Sequence, residues 1–160
     1  MIEIRETNLE DAEMIQAMLE AMAHDLGQGE EYRGNATAIR TYGFSDSPAF
    51  EVLVAQRHSE PLGMVLFFYE FSTWRGRPGL YVQDIFVDAA ARGLGLGRKL
   101  LVAATKKAAK QDACYVRLSV HAANKSGMAF YKQLGFQQAN QENIMVLEGA
   151  PFDAMKGDAE

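Results

Sequence analysis

Cysteine, proline and long apolar runs are all scarce in this chain of 160 residues. One cysteine, Cys114, allows neither a disulfide framework nor a thiolate metal site. Its place at the head of the apolar run 114–120 reads as a small buried hydrophobe. No apolar stretch approaches the roughly eighteen residues of a membrane-spanning helix, and no signal peptide precedes the first strand, so the expectation is a cytoplasmic protein. Nor is there a dominant basic run: 16 Lys and Arg against 21 Asp and Glu leave a net charge of -5, which argues against a nucleic-acid partner. The acidic balance suits a cationic ligand, and it suits simple solubility equally well. Internal repeats, low-complexity segments and linkers are missing too. With 48% apolar and 23% charged residues, the chain reads as one domain over residues 1–149 followed by a polar tail over 150–160.

What is present is organised around one turn. Residues 80–87, entered from Gly79, are rich in aromatic and β-branched side chains and read as a strand. Leu96, Leu100, Leu101, Ala104 and Ala108 fall at helical spacing and predict a helix over 95–111. Between them lies Arg92-Gly93-Leu94-Gly95-Leu96-Gly97-Arg98. Glycines there let backbone amides approach an anion at the positive end of the helix dipole, and they also serve a bare turn; the pattern alone leaves both roles open. A helix terminus is worth about 0.3–1 kcal/mol when exposed and up to about 2 when partly buried, so real affinity needs several amides together with Arg92 and Arg98. The nucleotide P-loop is excluded because Gly97 is followed by Arg98, Lys99 and Leu100, with no hydroxyl for magnesium. The dinucleotide fingerprint fails on spacing, and the next strand ends near His121 rather than at an acid.

The rest of the chain follows in order. Residues 1–5 read as an edge strand, and Thr7 with Glu10 fits a capping box ahead of a helix over 9–24 whose apolar face is Ile15, Met18, Leu19 and Met22. Gly27 and Gly29 end that helix, and a short one is expected over 35–41. Residues 50–57 and 62–71 form a hairpin around His58-Ser59-Glu60-Pro61. The next turn carries Trp74, for which a packing role, a binding surface and a dimer contact all stay open. After the glycine turn come a helix, a strand over 114–121, a helix over 125–134 capped by Gly135, and a terminal strand pair over 136–138 and 143–147. Strand, helix and strand in succession predict a right-handed crossover between parallel neighbours in a mixed α/β sheet.

Two motifs then carry a resemblance. Arg92-x-x-Gly95-x-Gly97 resembles the acyl-CoA pyrophosphate loop of the GNAT N-acetyltransferase superfamily. Asn124-Lys125-Ser126-Gly127-Met128-Ala129-Phe130-Tyr131-Lys132-Gln133-Leu134-Gly135-Phe136 is similar to that superfamily's Asn-x-x-Ala-x-x-Phe-Tyr-x-x-x-Gly-Phe segment, and the two motifs lie in the expected order and spacing along the chain. Over residues 52–136 the likeness is to its diamine, polyamine and thialysine N-acetyltransferase group. The implied fold is α/β (α+β): a mixed, mostly antiparallel sheet with one parallel crossover pair and about four helices. Acetyl-CoA is the implied cosubstrate, a small amine the acceptor and a homodimer the assembly, with no metal.

The resemblance also implies roles. Backbone groups of Ile85, Phe86 and Val87 would pair with the pantetheine arm as an added strand would. Arg92, Gly93, Leu94, Gly95, Leu96, Gly97 and Arg98 would cradle the pyrophosphate; Asn124 and Ser126 would bond the pantetheine or phosphate end, and Lys132 would reach the CoA phosphates. Tyr131 would give a proton to the departing thiolate. The amine, charged at neutral pH, must lose one. Group members carry a Glu on the strand before the glycine loop where this chain has Gln83, which can orient a water or an amine but not accept a proton. Asp84 is adjacent, and strand alternation brings it to the Gln83 side only if the strand bulges there. His121 is the alternative base. Gln83, Trp74 and His121 are the expected acceptor-side residues. Tyr32, Asp25, Glu30 and Glu31 either line the acceptor pocket or sit in solvated loops. Loss of the base would leave a noncatalytic acyl-CoA sensor, and a wider pocket would admit protein amino termini or lysines.

Overall fold

Two apolar stretches joined by a tight turn make the centre of the sheet. β2 (Glu51–Arg57) and β3 (Glu60–Ser72) pair antiparallel, and residues 52–56 and 62–67 are buried because helices cover both faces. β1 (Glu3–Glu6) pairs with β2, β4 (Arg77–Val87) pairs antiparallel with β3, and β5 (Val116–Leu118) pairs parallel with β4, giving the order β1-β2-β3-β4-β5. The computed structural model describes residues 1–157 and divides the chain into two compact units, Met1–His121 and Ala122–Glu160.

In the first unit, α1 (Ala12–Asp25) and α2 (Ala36–Gly43) cover one face of the sheet. Ile15, Met18, Leu19 and Ile39 meet Val52, Val54, Met64, Leu66 and Phe86 in one cluster. Each large side chain buried there contributes roughly 1.5–3 kcal/mol of transfer free energy. α3 (Leu96–Ala109) buries the predicted stripe Leu96, Leu100, Leu101, Ala104 and Ala108 and packs on β2, β3 and β4. It connects β4 to its parallel neighbour β5, which is the crossover that the strand, helix and strand pattern predicts.

Several local expectations shift. The capping box slides by one residue: Asn8 accepts from the Glu10 amide at 2.9 Å, Asp11 accepts from the Asn8 amide at 2.8 Å, and a 3-10 turn (Leu9–Asp11) leads into α1. Thr7 instead donates its hydroxyl to the Val52 carbonyl at 3.0 Å, which ties the helix entry to β2. The hairpin turn is the pair His58-Ser59, both at positive φ (48° and 68°), as two-residue turns between twisted strands require. Glu60 and Pro61 therefore belong to β3, with Pro61 at a register shift that spares the ladder its missing N–H. β5 is three residues long rather than eight, and Cys114 precedes it, exposed rather than buried.

The second unit holds α4 (Lys125–Gln133) and α5 (Ala150–Gly157). α4 closes as predicted: Gly135 at φ 98° lets the Phe136 amide reach the Tyr131 carbonyl at 3.1 Å. Residues 136–138 and 143–147 do not form the expected strands. β-branched and apolar composition makes a strand only against a partner, and Ile144, Met145 and Val146 are exposed. Beyond Gly149 the chain expected as a polar tail forms the helix α5; residues 158–160 lie outside the described residues.

Candidate active site

A register shift decides the chemistry of β4. Leu66 stands opposite Asp84 and Phe67 opposite Val82, which leaves Gln83 as the extra residue of a β-bulge. Residues directly opposite one another share a face. Asp84 therefore points with Leu66, Met64 and Phe86 toward the α1 side, whereas Val82 points with Phe67 to the other side. Strict alternation would have sent Asp84 with Val82. The bulge turns it round and leaves the Gln83 side chain exposed.

Asp84 is mostly withdrawn from water, and among the described residues no hydrogen bond or ion pair reaches its carboxylate. Burial alone pushes its pKa up to about 6. Tyr32, from the segment between α1 and α2, packs against the cluster that contains Leu66 and Phe86, the residues opposite and two places along from Asp84. Its hydroxyl is buried and makes no hydrogen bond among the described residues. Burial raises its pKa first, and the charges of Glu20 and Asp84 add to that. Farther along the same face Tyr81 stacks on Phe68 with ring centroids 4.9 Å apart and shares a hydrogen bond with Ser119 at 2.9 Å.

The β4–β5 ladder runs only from Leu80 and Val116 to Val82 and Leu118. Among the described residues no strand continues it, so Gln83, Asp84, Ile85, Phe86 and Val87 present a backbone edge on that side. Arg92 Nε takes the Val87 carbonyl at 3.0 Å. Its terminal nitrogen pairs with Asp25, at the end of α1, at 2.5 Å. The guanidinium expected on the pyrophosphate is thus already engaged in tying the glycine turn to α1.

Gly93 and Gly95 have φ of 81° and 71°, and a Cβ on either would meet nothing within 4 Å. The glycines serve backbone conformation, not space. Gly95 caps α3 with no side-chain acceptor, so no cap occupies the first-turn amides of a helix whose start carries the exposed Arg98 and Lys99. Uncapped amides, the dipole's positive end and two cations make a donor set that fits a diphosphate. Leu96 is buried beneath the turn and Leu94 lies exposed on it.

Other expected site residues have visible structural duties. Asn124 caps α4, accepting from the Gly127 amide at 2.9 Å and from the Ser126 hydroxyl at 3.3 Å. The Tyr131 ring meets Phe130 and Phe136 edge-on at centroid distances of 5.2 and 5.5 Å, and Lys132 is exposed. His121 lies three residues beyond β5 rather than at its end, and it is exposed. Trp74 is 99% exposed on the turn before β4, at the end of that strand remote from Asp84. Of the open acceptor-side residues, Tyr32 meets Asp84 electrostatically and Asp25 holds Arg92. Glu20 escaped the sequence analysis because an exposed Glu on an amphipathic helix carries no signal of its own.

A family model described as "Acetyltransferase (GNAT) family" matches residues 13–136. The chain belongs to the GNAT acetyltransferase family. Thialysine N-epsilon-acetyltransferase of Bos taurus is 30% identical over 146 residues, covering 86% of this chain and 85% of its own. L-ornithine N5-acetyltransferase of Arabidopsis thaliana is 32% identical over 93 residues, 58% of this chain and 41% of its own. Among solved structures, an integron cassette protein from the mobile metagenome of V. cholerae superposes with a TM-score of 0.81 at 19% identity, covering 97% of both chains. This GNAT protein is an N-acetyltransferase, and its mixed five-stranded sheet is the family's fold.

Proposed function

We propose that this enzyme moves the acetyl group of acetyl-CoA to a primary amine of a small polyamine-like or lysine-like acceptor, by direct attack in a ternary complex. The observation that carries the reading is the bulge that aims Asp84, which has no hydrogen-bond or ion-pair partner among the described residues and a pKa of about 6, at the α1 side of the sheet. The thialysine and ornithine acetyltransferases among its relatives support a small amine as acceptor.

In this reading the amine nitrogen attacks the thioester carbon, the C–S bond breaks and the departing thiolate takes a proton. A lysine-like ammonium has a pKa near 10.4, so complete transfer to Asp84 before attack is uphill by about 4 units, or about 6 kcal/mol. Asp84 therefore acts as base while the N–C bond forms and the nitrogen becomes acidic. Gln83 orients a water or the amine, and Tyr131, by its place in the motif, protonates the sulfur. The donor lies along the backbone of Ile85, Phe86 and Val87 with its diphosphate on the amides from Gly93 to Arg98; by their place in the motif, Asn124 and Ser126 are assigned to its pantetheine or phosphate end and Lys132 to its phosphates. The enzyme works as a single domain over residues 1–149, as a cytoplasmic homodimer with Trp74 at the contact.

Free-thiol release across linear diamines, ω-amino acids and peptides tests the reading. Turnover is expected on small primary amines. Activity confined to peptides would replace the acceptor with protein, and tight acetyl-CoA binding without turnover on anything would make the chain a sensor. Tyr131→Phe should lower kcat by about a hundredfold or more while leaving acetyl-CoA affinity unchanged.

A further inference from the structure

The Tyr32 hydroxyl has a position that folding alone does not explain. It is buried and makes no hydrogen bond among the described residues. Folded proteins pair nearly all buried polar groups, and an orphan of this kind persists where something outside the chain completes it. The surroundings indicate what that is. Asp84 and Glu20 both act on the phenol through space, and neither hydrogen-bonds to it. The packing beside the phenol is apolar, with Leu66 and Phe86 in the same cluster, and among the described residues no hydrogen bond or ion pair reaches the Asp84 carboxylate. A Cβ at Gly34 would lie 2.5 Å from the Tyr32 oxygen, so the absence of a side chain at that position is what lets the hydroxyl sit where it does.

We infer that the Tyr32 oxygen and the Asp84 carboxylate together grip the acceptor's reacting ammonium, which donates one N–H to each. This rests on the reading of the chain as an amine acetyltransferase and adds the residue that selects a cation at that site. A phenol oxygen accepts from an ammonium and, unlike a second carboxylate, brings no further charge, so one cationic nitrogen satisfies both groups. An alcohol or a thiol offers a single proton and leaves one of them unpaired. Discrimination of this kind is strong because the penalty falls on a buried group.

Tyr32→Phe removes only the hydroxyl. The KM for a linear primary amine should rise ten- to a hundredfold while the KM for acetyl-CoA stays within twofold, and the ligand-free variant should melt about 2–4 °C higher because an unpaired buried group is gone. Gly34→Ala, which pushes the hydroxyl aside but keeps it, should raise the amine KM in the same way. Adding 1,5-diaminopentane should raise the melting temperature of the wild-type protein and raise that of Tyr32→Phe much less. An unchanged amine KM, an equal diamine shift in both proteins, or a lower ligand-free melting temperature for Tyr32→Phe would overturn the inference. Wild-type protein that acetylates no amine yet shows a diamine shift dependent on the hydroxyl would defeat the proposed reaction and keep the binding pair. Amine turnover with an indifferent Tyr32→Phe would do the reverse.

Discussion

Asp84 and Glu70 point to the same side of one sheet, since Leu66, opposite Asp84, and Glu70 are an even number of residues apart on β3. Their surroundings are opposite. Glu70 accepts two hydrogen bonds from the Arg117 guanidinium at 2.8 and 2.9 Å and one from the Tyr115 hydroxyl at 3.0 Å. Arg117, and then Tyr115, hold its carboxyl below the usual range against the pull of burial. Arg75 and Arg117 cover the Tyr115 and Tyr81 rings at 4.3 and 5.2 Å, so that end of the sheet is a closed network. Asp84 has burial and, among the described residues, no hydrogen-bond or ion-pair partner. A carboxylate saturated by its own chain holds the fold together, whereas one kept dry and unpaired at a cost in stability is available for a proton or a cation.

The largest expected contrast is in rate. Asp84→Asn should lower kcat/KM by about a hundred- to ten-thousandfold and abolish the rise in kcat/KM through pH 6 that a base of that pKa produces. Glu70→Gln should stay within about threefold of wild type. Steady-state kinetics from pH 5 to 8 decides it, and equal losses in the two variants would break the comparison.

Stability should separate the pair with opposite signs. The raised Asp84 pKa means that between pH 3.8 and about 6 the folded state keeps a proton that the unfolded state releases, so the group's contribution falls as pH climbs. About two units at about 1.4 kcal/mol each make the cost at neutral pH about 3 kcal/mol. Asp84→Asn should recover about 2 kcal/mol of it in urea melts at pH 7, with little gain at pH 4. Glu70, whose folded pKa is depressed, contributes stability above its unfolded pKa and loses it as pH falls through the folded value. Glu70→Gln should therefore cost about 1 kcal/mol at pH 7, a modest figure because Arg117 is largely in solvent.

The smallest effect sharpens the same point from behind the network. A Cβ at Gly79 would fall 2.1 Å from the Tyr115 ring, so Gly79→Ala must swing that ring away and break its bond to Glu70. A loss of about 1 kcal/mol in stability with kcat/KM unchanged is the expected outcome.

Periodicity made the long elements legible. The stripe from Leu96 to Ala108 and the face of Ile15, Met18 and Leu19 are buried where their spacing puts them, because a helix must hide one side. The Gly95 turn was legible for a similarly local reason, a backbone conformation that other residues pay to adopt. Short-range chemistry misled where two solutions compete within a few residues: Asn8 outcompetes Thr7 as cap once Thr7 finds the Val52 carbonyl, a partner 45 positions away. Composition misled in residues 143–147, whose strand character needs a neighbour that composition cannot supply.

Residue order alone thus determined the helix faces, the glycine turn and the presence of one carboxylate beside Gln83, because each follows from local spacing and backbone sterics. Which way that carboxylate points was decided only in the folded sheet. A bulge is a mismatch of register between two strands, and no single strand contains it. The same holds for the Tyr32 hydroxyl, whose lack of a hydrogen-bond partner among the described residues depends on everything that packs around it.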